Sequence, residues 1–472
     1  LNDRYNLNIG RPAEDPEFML RLCLLQYIYG DSDRQLVENA RLNLAYKYFL
    51  GLAVDAEVPD YTSISYFRIQ RLGEEKFRSV LEQIVRQCID KGLVKGKRQI
   101  IDSTPVVANI SPSSLTGLVR KCRENVMKTV AKQDTRIAER LGLKELQNAE
   151  QVKFASTEEG LHKEIEAAGK LLDSVTAELR VKKLIPNDEL KKDLELLEKA
   201  VVDREEHAKD KLISPVDPDA RVGKKTNHIW RGYKAHIVME EETGIITGVE
   251  TTPANTTDGS QLKPMLKDQE RVYSIKPKEL TADKAYDWGE NLESLADNKT
   301  IANIALSKQV NHRNEGYFTV DDFLYDPENI KLMCPAGHIS TNCYSEILYN
   351  NKSGYAFQFK ASLCNTCPLK TKCVKNKEGR RIYISYYEPY FRLARERLAT
   401  EEGQQAYRNR YKIEQKVADL TRYCGLRRCR YHGLSRAHIH TLLATTVCNI
   451  KRMVKLLWGK PDNYYLESPA AG

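Results

Sequence analysis

The sequence predicts a mixed α/β fold preceded by an all-helical region, and three observations predict it. Short apolar runs at 98–110, from 230 to about 253, at 279–283 and at 300–308 read as strands, with helix-forming stretches between the later ones. Residues 1–95 carry helical periodicity and capping signals without a strand run. Between 113 and 215 the chain is strongly charged, and its apolar residues recur at steps of three and four.

The size and charge bound the function classes. At 472 residues the chain holds roughly two to four structural units and at least one substantial core, which excludes a small stapled scaffold. Its 74 Lys and Arg against 65 Asp and Glu leave a net charge of +9, which permits a polyanionic partner. No apolar stretch approaches a membrane span and no signal-peptide pattern opens the sequence, so a soluble cytoplasmic protein is expected. Eleven cysteines, an odd number and partly clustered, argue for metal binding or burial rather than a secreted disulfide framework.

The first helix is expected to start at Asp15 and Pro16, an N-cap with a first-turn proline, ahead of "EFMLRLCLLQYIYG". Ser32 and Gln35 form a capping box before "RQLVENARLNLAYKYFLGL". After a turn at Pro59, "TSISYFRIQRL" forms a short helix with Arg68 and Arg71, and a longer helix spans roughly 74–91. An ordinary helical bundle shows the same order, but the basic residues on the short helix favour a DNA-reading module. The next element, "RQIIDSTPVVANI", is a strand with Asp102 where a core residue is expected, and Pro105 marks its bulge or end. Leu161, Ile165, Ala168, Leu172, Val175 and Leu179, then Leu190, Leu194, Leu197 and Val201, give two apolar seams about "IPND", an antiparallel helical hairpin inserted after the first strand. The run "GYKAHIVMEEETGIITGVETTPANTTD" reads as a strand hairpin about "EETG", with Asp258 capping the helix that follows. The stretch "KELTADKAYDWGENLESLADN" reads as a strand ending near Asp283 and then a helix, and "TIANIALSK" as a further strand. Residues 309–392 read as irregular and aromatic-rich, and helices close the chain.

Three acids stand in unusual settings: Asp102 and Asp283 in apolar-flanked strands, and Glu414 on a basic helix. Asp102 taken alone reads equally as a strand-end residue in an Asx turn. An unpaired carboxylate in such a strand costs several kcal/mol, so each needs a strong partner, and a divalent cation is one. Two strand carboxylates and a helix carboxylate meeting at a sheet edge can hold two Mg²⁺ ions about 3.5–4 Å apart. From Tyr407 to His432 eight Lys and Arg residues face only Glu414 and Asp419, a balance that suits a held phosphate. Arg410 and Glu414, four apart, also satisfy an ordinary intrahelical ion pair.

The stretches "IIDSTPV", "GYKAHIVMEEETGIITGVETTPANTTDG", "LTADKAYD" and "YRNRYKIEQKVADLTRYCGLRRCRYHG" together resemble the DDE transposases of bacterial insertion sequences. The resemblance covers most of the chain and implies a ribonuclease-H-like catalytic sheet. It implies that Asp102, Asp283 and Glu414 are the catalytic acids, binding two Mg²⁺ or Mn²⁺ ions. The family's third motif, Tyr-x2-Arg-x3-Glu-x6-Lys, matches Tyr407, Arg410 and Glu414, but Thr421 stands where the lysine belongs, and Lys416 or Arg422 is a substitute for phosphate contact. The family implies cutting at terminal inverted repeats and transfer of 3′ hydroxyls to target DNA, with double-stranded DNA as partner and a homodimer working beside the bacterial nucleoid. A same-fold nuclease without strand transfer and a catalytically inactive DNA-binding relic are the rival readings.

The cysteines form a second constellation. "CNTCPLKTKC" supplies Cys364, Cys367 and Cys373, and Cys334 in "CPAGH" completes a tetrahedral set for a structural Zn²⁺, with His338 and Cys343 as alternative fourth ligands. Trp288, five residues past Asp283, is a core residue or a stacking platform for a flipped base. The expected organisation is a helical DNA-binding region (1–95), a first catalytic strand (96–112), a helical-hairpin insertion (113–215), the catalytic core (216–308), a Cys-rich zinc-binding insertion (309–392) and a closing region with the Glu414 helix (393–472).

Overall fold

A computed structural model describes residues 14–111, 113–142, 157–205, 210–225, 228–307, 316–340, 342–347 and 353–459. Five helices open it: α1 (Pro16–Tyr29), α2 (Asp33–Leu42), α3 (Leu44–Leu50), α4 (Tyr61–Tyr66) and, after a π-helical turn over Phe67–Leu72, α5 (Gly73–Asp90). Asp15 accepts the Glu17 and Phe18 N–H groups, and the Ser32–Gln35 capping box is complete, so both expected starts are present.

The central sheet has six strands: β1 (Arg98–Val107), β2 (Arg221–Lys225), β3 (His228–Glu240), β4 (Ile246–Pro253), β5 (Glu279–Ala282) and β6 (Ile301–Ile304). β1 runs antiparallel to β3 and parallel to β5, and β5 runs parallel to β6, so the sheet is mixed. The far edge of β3 is shared: β2 pairs with its first residues and β4 with the rest. Pro105 does not end β1 as expected. It pairs opposite Lys234, and the strand continues to Val107. β5 has left β1 after Ile100, so Pro105 lies on a stretch without a second strand, where a missing N–H costs little. Gly232, with φ of 145°, lets β3 approach β1, since a Cβ there would lie 2.4 Å from the Ala108 nitrogen and the Val106 carbonyl oxygen.

Between β1 and β2, α6 (Leu115–Gln133), the short α7 (Thr135–Arg140), α8 (Glu158–Val181) and α9 (Asp188–Glu205) build a helical bundle with its own core. The two expected seams are α8 and α9, and Ala168, Val175, Leu190 and Leu197 are fully buried in that core. Glu164 is also buried there and is paired with Arg123 and Arg120. After β4 a 3-10 turn over Asp258–Gln261 leads into α10 (Leu262–Tyr273). Asp258 does not cap it as expected, because its carboxylate accepts from Lys234 Nζ at 2.8 Å. α11 (Gly289–Asp297) separates β5 from β6.

The stretch read as irregular contains two small three-stranded antiparallel sheets, one of β7 (Leu324–Asp326), β8 (Lys331–Met333) and β9 (Ile339–Ser340), the other of β10 (Cys343–Ile347), β11 (Ser353–Gln358) and β12 (Arg381–Ser385). Strands of two to six residues are too short for alternation to register in sequence. After α12 (Ala361–Thr366), within this region, the chain closes with α13 (Glu388–Ala399), α14 (Glu401–Arg408), α15 (Tyr411–Tyr423) and α16 (Leu434–Trp458).

One core runs through the opening helices, one face of the sheet and α16. It includes Leu22 and Phe77, Ile100 and Tyr233, and Leu442 and Val447. Polar contacts reinforce the join. Tyr27 Oη lies 2.8 Å from His440 Nδ1, and Arg430 donates to the Gly30 carbonyl at 3.0 Å and to that of Asp31. Burial holds His440 neutral, with its pKa lowered to about 4. Among the described residues no helix is long and apolar enough to cross a membrane.

Candidate active site

The sheet itself brings the first two acids together. β1 and β5 are paired in parallel up to Ile100 opposite Thr281, and Asp102 and Asp283 each stand two residues beyond that last pair. Asp283 is the first residue past β5, and its carboxylate accepts the Ala285 N–H at 2.8 Å, starting a short turn over Lys284–Tyr286. The carboxyl ends of parallel strands are where α/β sheets commonly bind ligands.

Asp102 is buried at 7% exposure, and its carboxylate accepts the Ser103 N–H at 2.7 Å. Burial raises its pKa to about 6. The cation of Lys225 and the Ser103 N–H oppose that rise, Asp283 adds to it, and Arg410 opposes it further. The third acid is joined through Arg410, the residue preceding α15, whose guanidinium stands 3.2 Å from Asp102 and 2.9 Å from Glu414 on the first turn of that helix. The Arg410–Glu414 contact is therefore an intrahelical pair and also half of a bridge to β1. The loop after α15 is tied to the same strand, since Val107 N–H donates to the Arg427 carbonyl and Cys429 N–H to that of Val107.

Behind the acids lies a buried polar layer that the sequence reading missed. Tyr286 is fully buried with no hydrogen-bond partner for its hydroxyl among the described residues. Burial first, then the carboxylates of Asp102, Asp258 and Asp283, drive its pKa well up. His236, on β3, is buried with Nε2 2.9 Å from Thr252 Oγ1, and burial lowers its pKa to about 4. Lys225 was missed as well. The tyrosine of "DKAY" and the basic run "GKKTNHIWR" were the available signals.

The remaining site residues separate. Tyr407 is half-buried at the end of α14, one turn before Arg410. Arg422 is exposed on the last turn of α15, about 12 Å along the helix axis from Glu414. Lys416 was expected to meet DNA, but it is buried, packed beside Gly244 at the β3–β4 turn and 3.7 Å from Asp419. Arg68 was likewise expected to meet DNA. The π-helical turn carries it inward, where it is 1% exposed, forks Asp33 at 3.0 and 2.7 Å and stacks 5.0 Å from the Tyr431 ring. Arg71, half-buried, lies over the exposed Tyr66 ring at 5.5 Å. Trp288 is 40% exposed, not a core residue, and borders a broad cleft with Tyr386, Tyr387 and Arg395.

Cys334, Cys364, Cys367 and Cys373 converge with His338 on one small pocket. Among the described residues, however, no three His, Cys, Asp or Glu side chains stand at a spacing that would hold a metal ion. The zinc expectation therefore gains no support. The same holds of Asp102, Asp283 and Glu414, although three carboxylates are the donor type a hard divalent cation takes. Arg410 lies between two of them.

Comparison with known families gives two matches. Residues 1–70 match the family described as "Transposase domain (DUF772)". Residues 333–454, which include the cysteines and Glu414, match the family described as "Transposase DDE domain". No curated protein matches the chain.

Proposed function

We propose, for a chain that both matches support as a DDE-class insertion-sequence transposase, that Asp102, Asp283 and Glu414 form its catalytic centre and cut DNA at terminal inverted repeats. One observation carries this reading. Asp102 and Asp283 each stand two residues past the last parallel pair of β1 and β5, and Arg410 bridges Asp102 to Glu414. The mixed sheet, with β1 antiparallel to β3 and parallel to β5, supports a ribonuclease-H-like arrangement.

The three carboxylates would hold two Mg²⁺ or Mn²⁺ ions, which when bound activate a nucleophile and neutralise charge on the leaving oxygen. Every other part falls to the chain. Arg410 exchanges its two carboxylates for a phosphate, a partner its planar fork fits equally well. The exposed Arg422, Arg427 and Arg428 extend that hold along the backbone. Arg71, Tyr66 and the opening helices contact the repeat sequence, and two copies act on two ends.

The test is incubation of purified protein with the DNA ends flanking its own gene and Mg²⁺, with cut positions mapped on both strands. Asp102→Asn, Asp283→Asn and Glu414→Gln should each abolish cutting. Pre-cleaved ends separate the readings further: joined product is expected with target DNA, and cutting without joining would make the protein a nuclease of the same class.

A further inference from the structure

We infer that the two-stranded ribbon of β2 and the start of β3 is a DNA-gripping element, seated in a groove of duplex DNA beside the scissile phosphate. The inference rests on the reading of the chain as a DNA-cutting enzyme and names where the substrate is held.

Three features carry it. From Arg221 to Arg231 the sequence has five basic or imidazole side chains, Arg221, Lys224, Lys225, His228 and Arg231, and no acid. Arg221 is committed to Asp210, but Lys224, Lys225 and Arg231 have no carboxylate partner among the described residues, and all three are exposed. Second, the pairing sorts the faces. Val222 opposite Arg231 and Lys224 opposite Ile229 share one face, on which Val222 and Ile229 are exposed apolar groups between the cations. The other face is locked down by Trp230, which lies against Gly223 so closely that a Cβ there would stand 2.3 Å from the ring, and its indole N–H donates to the Tyr233 carbonyl. Third, the ribbon continues the sheet that carries Asp102, since β3 pairs with β2 over its first residues and with β1, the Asp102 strand, beyond them.

Each strand is about 17 Å long, and a two-stranded ribbon fits the B-DNA major groove, about 12 Å wide. In that seat the cations reach phosphates on the groove walls, and Val222 and Ile229 face sugars or thymine methyl groups. An exposed apolar and basic face on a rigid ribbon has no evident use in folding.

The experiment is fluorescence anisotropy of the full chain with a labelled duplex from the end of its own element, titrated at several salt concentrations. Removing one phosphate-neutralising cation lowers the slope of log K against log salt by about 0.9, so Lys224→Gln with Arg231→Gln, the two cations of the exposed face, should reduce it by about 2. Affinity at low salt should fall at least tenfold, and Lys224→Arg with Arg231→Lys should retain the wild-type slope. Asp102→Asn is the control and should bind as wild type does while failing to cut. The substituted groups are exposed, and unchanged thermal unfolding of both ribbon variants verifies the fold. A wild-type slope in the Gln variant overturns the ribbon as a DNA contact and leaves the catalytic reading standing. Failure of wild type to bind any duplex overturns both.

Discussion

Replacing Asp102 by Asn should make the protein more stable at neutral pH while removing its activity. Folding raises the Asp102 pKa from 3.8 to about 6, chiefly by burial, so the folded state disfavours the ionised carboxylate by about 3 kcal/mol. The sign follows from proton counts. Between those two values the folded protein binds more protons than the unfolded chain, so stability falls as pH rises through that window, and above about pH 6 the full cost is present. Asn carries no charge to bury, and its carbonyl can accept the Ser103 N–H that Asp102 accepts at 2.7 Å. Its amide group facing Arg410 is a poorer neighbour than a carboxylate, so the realised gain should be about 1 to 3 kcal/mol. Urea unfolding at about pH 7.5 and about pH 4 measures it: the midpoint of the variant should lie above wild type at the first and converge on it at the second. A variant less stable than wild type at neutral pH, or one with the same advantage at both values, would refute the assignment of Asp102 as a strained, function-bearing acid.

Three further outcomes are expected. Arg410→Gln should tighten Mn²⁺ binding to the DNA-free protein several-fold, read from the free-ion EPR signal, while DNA cutting falls; unchanged binding would mean that Arg410 does not guard the acids. Arg68→Met strands Asp33 and should cost about 3 to 5 kcal/mol of stability, with the salt slope of DNA binding unaltered; a reduced slope would restore Arg68 as a DNA contact. His440, lowered from 6.5 to about 4 by burial, should withdraw about 3 kcal/mol as pH falls from about 6.5 to about 4, because the unfolded chain binds the proton first. In His440→Gln that part of the acid limb should flatten, and an identical limb would place the loss elsewhere.

The three candidate acids could be picked out because each is anchored to a local pattern: an apolar strand around Asp102, "DKAY" after β5, and a Tyr-Arg-Glu spacing across the start of α15. The mixed sheet and the helical hairpin were legible from periodicity for the same reason. What sequence could not convey was which way a cation points. Arg68 and Arg422 look alike in a string, yet a π-helical turn buries the first and the last turn of α15 exposes the second. Lys416 lies two residues past Glu414 and so faces a different side of the helix, toward the β3–β4 turn. Lys225 and Asp102 are far apart in the chain and come onto one sheet only through the pairing of β2 with β3 and of β3 with β1. The core shared by α1 and α16, joined at Tyr27 and His440, is equally invisible to any local window.

That shared core works as a calliper. The opening helices and the sheet that carries Asp102 share one core, and Arg430 grips the end of α1. On the proposed function, a duplex held by the opening helices would meet the acids at a separation decided when the chain folded. The distance in base pairs from recognised sequence to broken bond would then be a length built into the protein.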